Sequence, residues 1–185
     1  MKSMIKCVKT RTKHRAYICF LIAIIACNPN SEINSKSINK NIYDNEIFKP
    51  KINIFQDKHL AVSSNSDRLI KDDGKDAILI GNVVSNFFNE EGKRITTLYS
   101  DSAIVENFSN NLKALGNVTV ISDSGFTLKS NEILWNNQYK LITSKDSILL
   151  TDQSNNKIRG VGFESDMDLT NYKIFKFIGS FKESD

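Results

Sequence analysis

A chain of 185 residues with 25 Lys and Arg against 21 Asp and Glu looks basic enough for nucleic acid or an anionic membrane. The excess is local: Lys2, Lys6, Lys9, Arg11, Lys13 and Arg15 precede residue 27 with no acid among them, so the rest holds 19 basic against 21 acidic residues. That near-neutral remainder excludes a surface that captures nucleic acid by net charge, and no nucleic acid is expected among the partners.

The chain opens with this charged region and continues in the apolar run Ala16 to Ala26, "AYICFLIAIIA". A membrane-spanning helix needs roughly 20 apolar residues and a secretory core about 7–15, so the run fits a signal peptide, expected at residues 1–26. It ends in Ile24-Ile25-Ala26-Cys27, which resembles a bacterial lipobox and makes Cys27 the expected lipidation site. A short uncleaved anchor, or an ordinary signal peptide with a chance cysteine, is the alternative. The other cysteines are Cys7 and Cys19, so cleavage before Cys27 leaves no pair for a disulfide and no cysteine metal site. The remaining 159 residues must be held by a hydrophobic core and are enough for one domain.

Residues 27–58 are dominated by Asn, Ser and Lys, with Pro50 inside "FKPK", and read as a tether. Ile42, Tyr43, Ile47, Phe48 and Phe55 are the side chains within it able to pack on the domain or a partner. A domain is expected over 59–185. Beyond residue 75 short runs rich in Val, Ile, Thr and Phe alternate with Asn, Asp, Ser and Gly, predicting strands at 76–88, 93–107, 112–122, 125–135, 140–144, 146–151, 157–163 and 172–182. Asn89 to Gly92 is expected to make a hairpin turn with Gly92 at positive φ. No window keeps apolar residues on a helical face, so the fold class is all-β and mostly antiparallel. "GNVV" at Gly81 and "GNVT" at Gly116, with serines Ser100, Ser130 and Ser165 about 30 to 35 residues apart, suggest a repeated unit; chance similarity in a chain rich in Asn and Ser is the competing account.

"IRGVGFESDMDL", Ile158 to Leu169, carries Gly160 and Gly162 in a predicted strand. Strict alternation sets Val161 and Phe163 on one face and leaves the other bare. The strip is either a bulge or sheet corner, or a surface admitting a ligand chain or partner strand. Asp166 and Asp168 read as a solvated strand face, because no further clustered ligands or calcium-loop pattern surround them. Trp135 alternates with Ile133 and is either a core aromatic or a ligand platform. Beyond the signal region the one histidine is His59, placed by this reading at the tether's end, so no Ser-His-Asp or Cys-His pair can be assembled around it and no enzyme, metal site or cofactor is expected.

Three segments in order, "VVSNFFNEEGKRITTLYSDSAIVEN" (83–107), "LGNVTVISDSGFTLKSNEILWNNQYKLITSKDSILL" (115–150) and "IRGVGFESDMDL" (158–169), resemble the LptC family, the periplasmic component of the lipopolysaccharide export machinery. The resemblance spans roughly residues 50–182 and rests on the order of Gly-Asn-Val, "LWNNQ", "ITSKDSI" and Gly-x-Gly-Phe. It implies a twisted, open antiparallel β-jellyroll of the LptA and LptC type, with an apolar trough for the acyl chains of lipid A. It further implies a place at the periplasmic side of the inner membrane of a Gram-negative bacterium, on the ABC transporter that exports lipopolysaccharide. An LptA-like jellyroll would then join by edge-strand pairing. Many members carry a transmembrane helix; here the anchor would be the lipid on Cys27. Alternation assigns Ile80, Val83, Ile104, Val118, Val120, Phe126, Leu128, Leu141, Ile148, Leu150, Val161 and Phe163 to the trough, with Gly160 and Gly162 as the family's glycine motif. The strand from Asn171 to Phe181 is the expected partner edge through Tyr172, Ile174, Phe175 and Phe177, with Lys173 and Lys176 opposing random pairing. A second reading is a surface or periplasmic β-sandwich lipoprotein that binds a protein or glycan.

Overall fold

A computed structural model describes residues 45–182, so the expected signal peptide and Cys27 lie outside the described residues, as do Ile42 and Tyr43. The described residues form eleven strands: β1 (Glu46–Phe48), β2 (Lys51–Gln56), β3 (His59–Asn65), β4 (Arg68–Ile70), β5 (Ala77–Phe88), β6 (Arg94–Val105), β7 (Leu112–Ser122), β8 (Thr127–Asn136), β9 (Leu141–Thr151), β10 (Asn156–Ser165) and β11 (Tyr172–Lys182). All belong to one antiparallel sheet in the order β1-β4-β5-β6-β7-β8-β9-β10-β11, with β2 and β3 joined through β5. Each strand from β5 onward pairs with the next in sequence, because turns of a few residues return it directly onto its predecessor. The expected Asn89 to Gly92 turn is present, with Gly92 at φ 75° and its N–H donating to the Asn89 carbonyl at 3.0 Å.

The sheet curls because its long strands bend at nearly the same level. Register shifts fall between Ile80 and Val83, between Tyr99 and Ser102, between Leu115 and Val118, and between Val161 and Phe163. An extra residue at each site bends the strand and sharpens its twist. Two of these corners share one construction. Gly81-Asn82 and Gly116-Asn117 take φ values of 78° and 47° in both cases. Each asparagine Nδ2 donates at 2.7 Å to an aspartate on the preceding strand or turn, Asp67 or Asp101. Ser66 and Ser100 each donate to the carbonyl two residues on, at 2.8 and 2.9 Å. The Gly-Asn repeat thus has a geometrical basis.

Curling brings distant strands together around an apolar interior, giving an open β-jellyroll. Phe87 of β5 meets Trp135 of β8 edge-on, with ring centroids 5.5 Å apart. Thr96 of β6 donates to the Met167 carbonyl, and Ser122 and Ser124 donate to that of Asp168 at 2.5 and 2.6 Å, so the turn after β10 closes onto β6 and β7.

The N-terminal boundary needs correction. Residues 46–56 were expected within the tether, but they form β1 and β2, and Ile54 is buried in the core. Ile47, Phe48 and Phe55, three of the side chains able to pack on the domain or a partner, are exposed on the domain. Asp57 and Lys58, both at positive φ, make a two-residue turn between β2 and β3. Such a turn has the twist of an antiparallel hairpin, but it usually advertises itself by a glycine. His59 accordingly begins β3 and does not end a linker. The two strands predicted at 140–144 and 146–151 are one, β9, whose exposed Lys145, Asp146 and Ser147 mark its bend.

Candidate functional site

The interior is the first element of the site. Val83, Val118, Val120, Leu128, Ile148, Leu150 and Phe163 lie in the buried cluster, and Phe126 packs against its edge. Ile80, Ile104, Leu141 and Val161 do not: they are half-buried, outside the cluster, and the inward assignment is corrected for each. Pairing explains the first two. Ala77 and Leu79 face Val105 and Ala103, all buried, which leaves Ile78 and Ile80 against Ile104 and Ser102 on the other side of the sheet. At the start of β9, Ile142 pairs with buried Trp135 and Leu141 with Asn136. Sequence alternation missed Leu79, Phe87, Leu98, Leu112, Ile133 and Ile142, all fully buried.

The glycine segment explains Val161. Gly160 is paired with buried Ile148 and Phe163 with buried Ser144, while Val161 pairs with exposed Ser147. Between the Val161–Ser147 and Phe163–Ser144 pairs β10 advances two residues and β9 three, so the extra residue of this bulge is on β9, at the exposed Lys145 and Asp146; opposite it Gly162 takes φ 76°, and Val161 is half-buried while Phe163 is buried despite being two apart. The bared backbone is occupied by the protein's own β11. A methyl group on Gly160 would stand 2.8 Å from the Lys176 carbonyl oxygen, and one on Gly162 would stand 3.1 Å from the Phe175 ring.

β11 ends the sheet order, so among the described residues its outer edge has no strand partner. Tyr172 stacks on Phe163 with centroids 6.1 Å apart, and Ile174 packs on the core. Phe177 is paired with Gly160 and so belongs to the inner face, yet it is 61% exposed. The inner face therefore surfaces along this margin. Phe175 is 60% exposed, with the Lys173 ammonium 4.9 Å from its ring.

A cavity of about 440 Å³ lies where four turns converge, and Leu60, Phe88, Ile95, Trp135 and Met167 line its apolar part. Asp166 and Asp168 are not on a strand face as expected but beyond the end of β10, in the turn that buries Leu169. Burial pushes the Asp166 carboxyl up, but hydrogen bonds led by the Asn171 amide at 2.6 Å outweigh it and hold the group below the ordinary aspartate value. The Lys140 ammonium, 2.8 Å from Glu90, likewise lowers that carboxyl, and Lys49 followed by Asn82 lowers Asp67. Among the described residues no helix is long and apolar enough to cross a membrane.

Comparison with known proteins gives one family. A model described as lipopolysaccharide-assembly, LptC-related matches residues 64–176, more than half of the chain and running from β3 into β11. No curated protein matches. Members of that family work with lipopolysaccharide and with the transporter and bridge components in the periplasm and at the inner membrane of Gram-negative bacteria. The jellyroll, its open margin and the matched segment agree, and the chain belongs to the LptC family, which acts in lipopolysaccharide transport.

Proposed function

We propose that this jellyroll receives lipopolysaccharide from the inner-membrane ABC transporter, holds its acyl chains in the apolar interior, and passes them to a periplasmic LptA-like jellyroll paired on β11. The observation that carries the reading is the inner face itself. It runs without interruption from Val83 through Val120, Leu128 and Leu150 to Phe163, and surfaces at Phe177 beside an edge strand without a partner. Such a site works by solvent exchange and not by bond chemistry. Each methylene kept from water is worth about 0.8 kcal/mol, so a free acyl chain in the periplasm is heavily penalised, while transfer between similar troughs is nearly level. Direction must then come from ATP hydrolysis in the transporter. The unpaired N–H and C=O groups of β11 are what a neighbouring strand would take up. In this reading residues 1–26 are a signal peptide, and the lipid on Cys27 holds the protein to the periplasmic side of the inner membrane.

The test is photo-crosslinking in cells with a photoreactive residue at Val120 or Phe163, both fully buried, and a control at exposed Lys129. Lipopolysaccharide adducts at the two interior positions, dependent on ATP, are expected; their absence in exported, folded protein would refute the trough. One observation favours the second reading, a binding lipoprotein: Phe108 and Tyr139 stand 92% and 66% exposed in two turns that are bonded to each other through Asn137 and Asn111. Capture of a protein or glycan by those turns, without the transporter, would be its mark.

A further inference from the structure

The outer face of the sheet carries apolar side chains that neither the interior nor β11 accounts for. Register sets Glu46 beside Ile70, Ile70 beside Ile78 and Ile78 beside Ile104, so these residues share one face. It is the face away from the core, since Leu79 and Ala103, one position along, are fully buried in the core cluster. Ile70 is itself buried yet stands outside that cluster, and Ile78 is exposed. Ile80, Ile104, Leu115 and Leu134, all half-buried, continue the patch across β5, β6, β7 and β8. A sheet face this apolar is normally buried against another element.

The place where the chain enters indicates the cover. Asn45 is the first described residue, and its carbonyl accepts from the Lys71 N–H at 3.1 Å, directly beside the row of Ile70 and Ile78. The sequence just before it holds Ile33, Ile38, Ile42 and Tyr43 in a stretch otherwise dominated by Asn, Ser and Lys. Leu134, at the far end of the patch, lies five strand spacings from β1, about 24 Å along the sheet. Ile33 is twelve residues before Asn45, which allows about 40 Å of extended chain. Ile42 and Tyr43 are thus within reach of Ile78, and Ile38 within reach of Leu115. A flat partner fits less well. The ion pair of Lys113 with Glu132, at 2.9 Å, crosses the patch between Ile104 and Leu134, and a membrane or a second sheet laid over it would strip water from both charges. A single extended segment passes beside the pair and leaves it wet.

We propose that residues 33–43 form a strap across the outer face of β5 to β8, with Ile42 and Tyr43 on Ile78 and Ile104, and Ile38 toward Leu115 and Leu134. This surface is separate from the interior and from β11, and the inference stands without the lipid-transfer reading. Seated in this way, the strap leaves six residue steps between Cys27 and Ile33, about 20 Å at full extension, against about 60 Å for the whole segment from Cys27 to Asn45. Where Cys27 carries the lipid, docking or release of the strap sets how far the domain stands from the bilayer.

The test uses the full chain in isolated cell envelopes, with a photoreactive benzophenone residue replacing Tyr43. Illumination should join it to tryptic peptides of the same chain that contain Ile78 or Ile104, in a product that runs as a monomer. In the unsubstituted chain, purified in amphipol, trypsin should cut slowly after Lys36 and Lys40. Ile78→Glu, with the fold intact by circular dichroism, should speed those cuts roughly tenfold or more, since cleavage follows the population of released strap. Ile42→Asp combined with Tyr43→Asp should do the same from the other side of the contact. Adducts confined to a second copy, to another protein or to phospholipid, no adduct on β5 or β6, or equal cutting rates in wild type and Ile78→Glu would overturn the proposal. The crosslink is read on the unaltered outer face, so it decides the matter even if Ile78→Glu misfolds.

Discussion

Placing a methyl group on Gly160 forces a choice between the two last strands. The added carbon would stand 2.8 Å from the Lys176 backbone carbonyl and would overlap the Ile174 side chain. A backbone oxygen cannot rotate aside, so β11 must move off β10, and overfilling of this kind costs about 1–3 kcal/mol. At Gly162 the cost has a different origin. With φ at 76°, any Cβ carries a left-handed penalty of about 1–2 kcal/mol, while the 3.1 Å approach to Phe175 can be relieved by that exposed ring. Gly179 is the control, since a Cβ there meets nothing within 4 Å and its φ is ordinary; alanine should be neutral or stabilise by about 0.5 kcal/mol. For a domain of this size, thermal unfolding of purified Gly160→Ala should fall by roughly 4–12 °C, and that of Gly162→Ala by about 4–8 °C. Amide exchange separates mechanism from general weakening: Gly160→Ala should expose β11 amides while β5 to β8 stay protected. If Gly160→Ala matches the wild type while Gly179→Ala drops, the close-approach reasoning is wrong. Gly162→Arg, which adds bulk and charge beneath Phe175, should leave exported protein but reduce lipopolysaccharide delivery.

The face assignments give a paired prediction: Leu79→Ala should cost about 2–5 kcal/mol in denaturant unfolding and Ile80→Ala much less, and equal costs would place the β5 register in error. Phe177→Ser should leave stability within about 0.5 kcal/mol yet abolish co-purification of a bridging jellyroll, with a preserved complex arguing against the β11 margin. Because the folded Asp166 carboxyl lies below the ordinary 3.8, its stabilising contribution is fully present well above that value and is lost as pH falls from 3.8 through the folded pKa. Asp166→Asn should therefore flatten the acid limb of the stability curve below about pH 4 and weaken the turn at higher pH, as acid titration by circular dichroism would show.

How far the molecule was legible depended on whether each strand was read by composition or by phase. Val- and Ile-rich runs separated by Asn, Gly and Asp located β5 to β11, and Gly92 located a turn, because those signals are local. β3 was not seen because two of its three buried residues, Ser63 and Ser64, are polar, and the Ser64 hydroxyl meets that of Ser85 at 2.7 Å inside the protein. Apolar alternation cannot be read in a strand where Val62 is the one buried apolar side chain beside two serines. The hairpin before it used Asp57-Lys58 where a glycine would have announced the turn. Phase failed for Val161 because the strand is irregular at Gly162, opposite a bulge whose extra residue belongs to the neighbouring β9, and nothing in the local sequence of β10 announces it. Trp135 was legible as an aromatic on β8, with core and ligand roles both open; that it packs in the core and also lines a cavity depends on a curl that brings β5 and four distant turns around it.

The two margins of this sheet differ in length by a wide factor. At one side β1 offers three residues and β2 six, set apart because their partners β4 and β3 pair with different halves of β5; at the other β11 offers eleven in a row. Two copies brought tail to head would leave most of the long margin unmatched, so among the described residues there is little to drive growth into a homopolymer. A foreign strand of matching length has no such handicap. A row of jellyrolls assembled on these terms has a built-in polarity, and its order is set by which margins fit and not by how many copies are present.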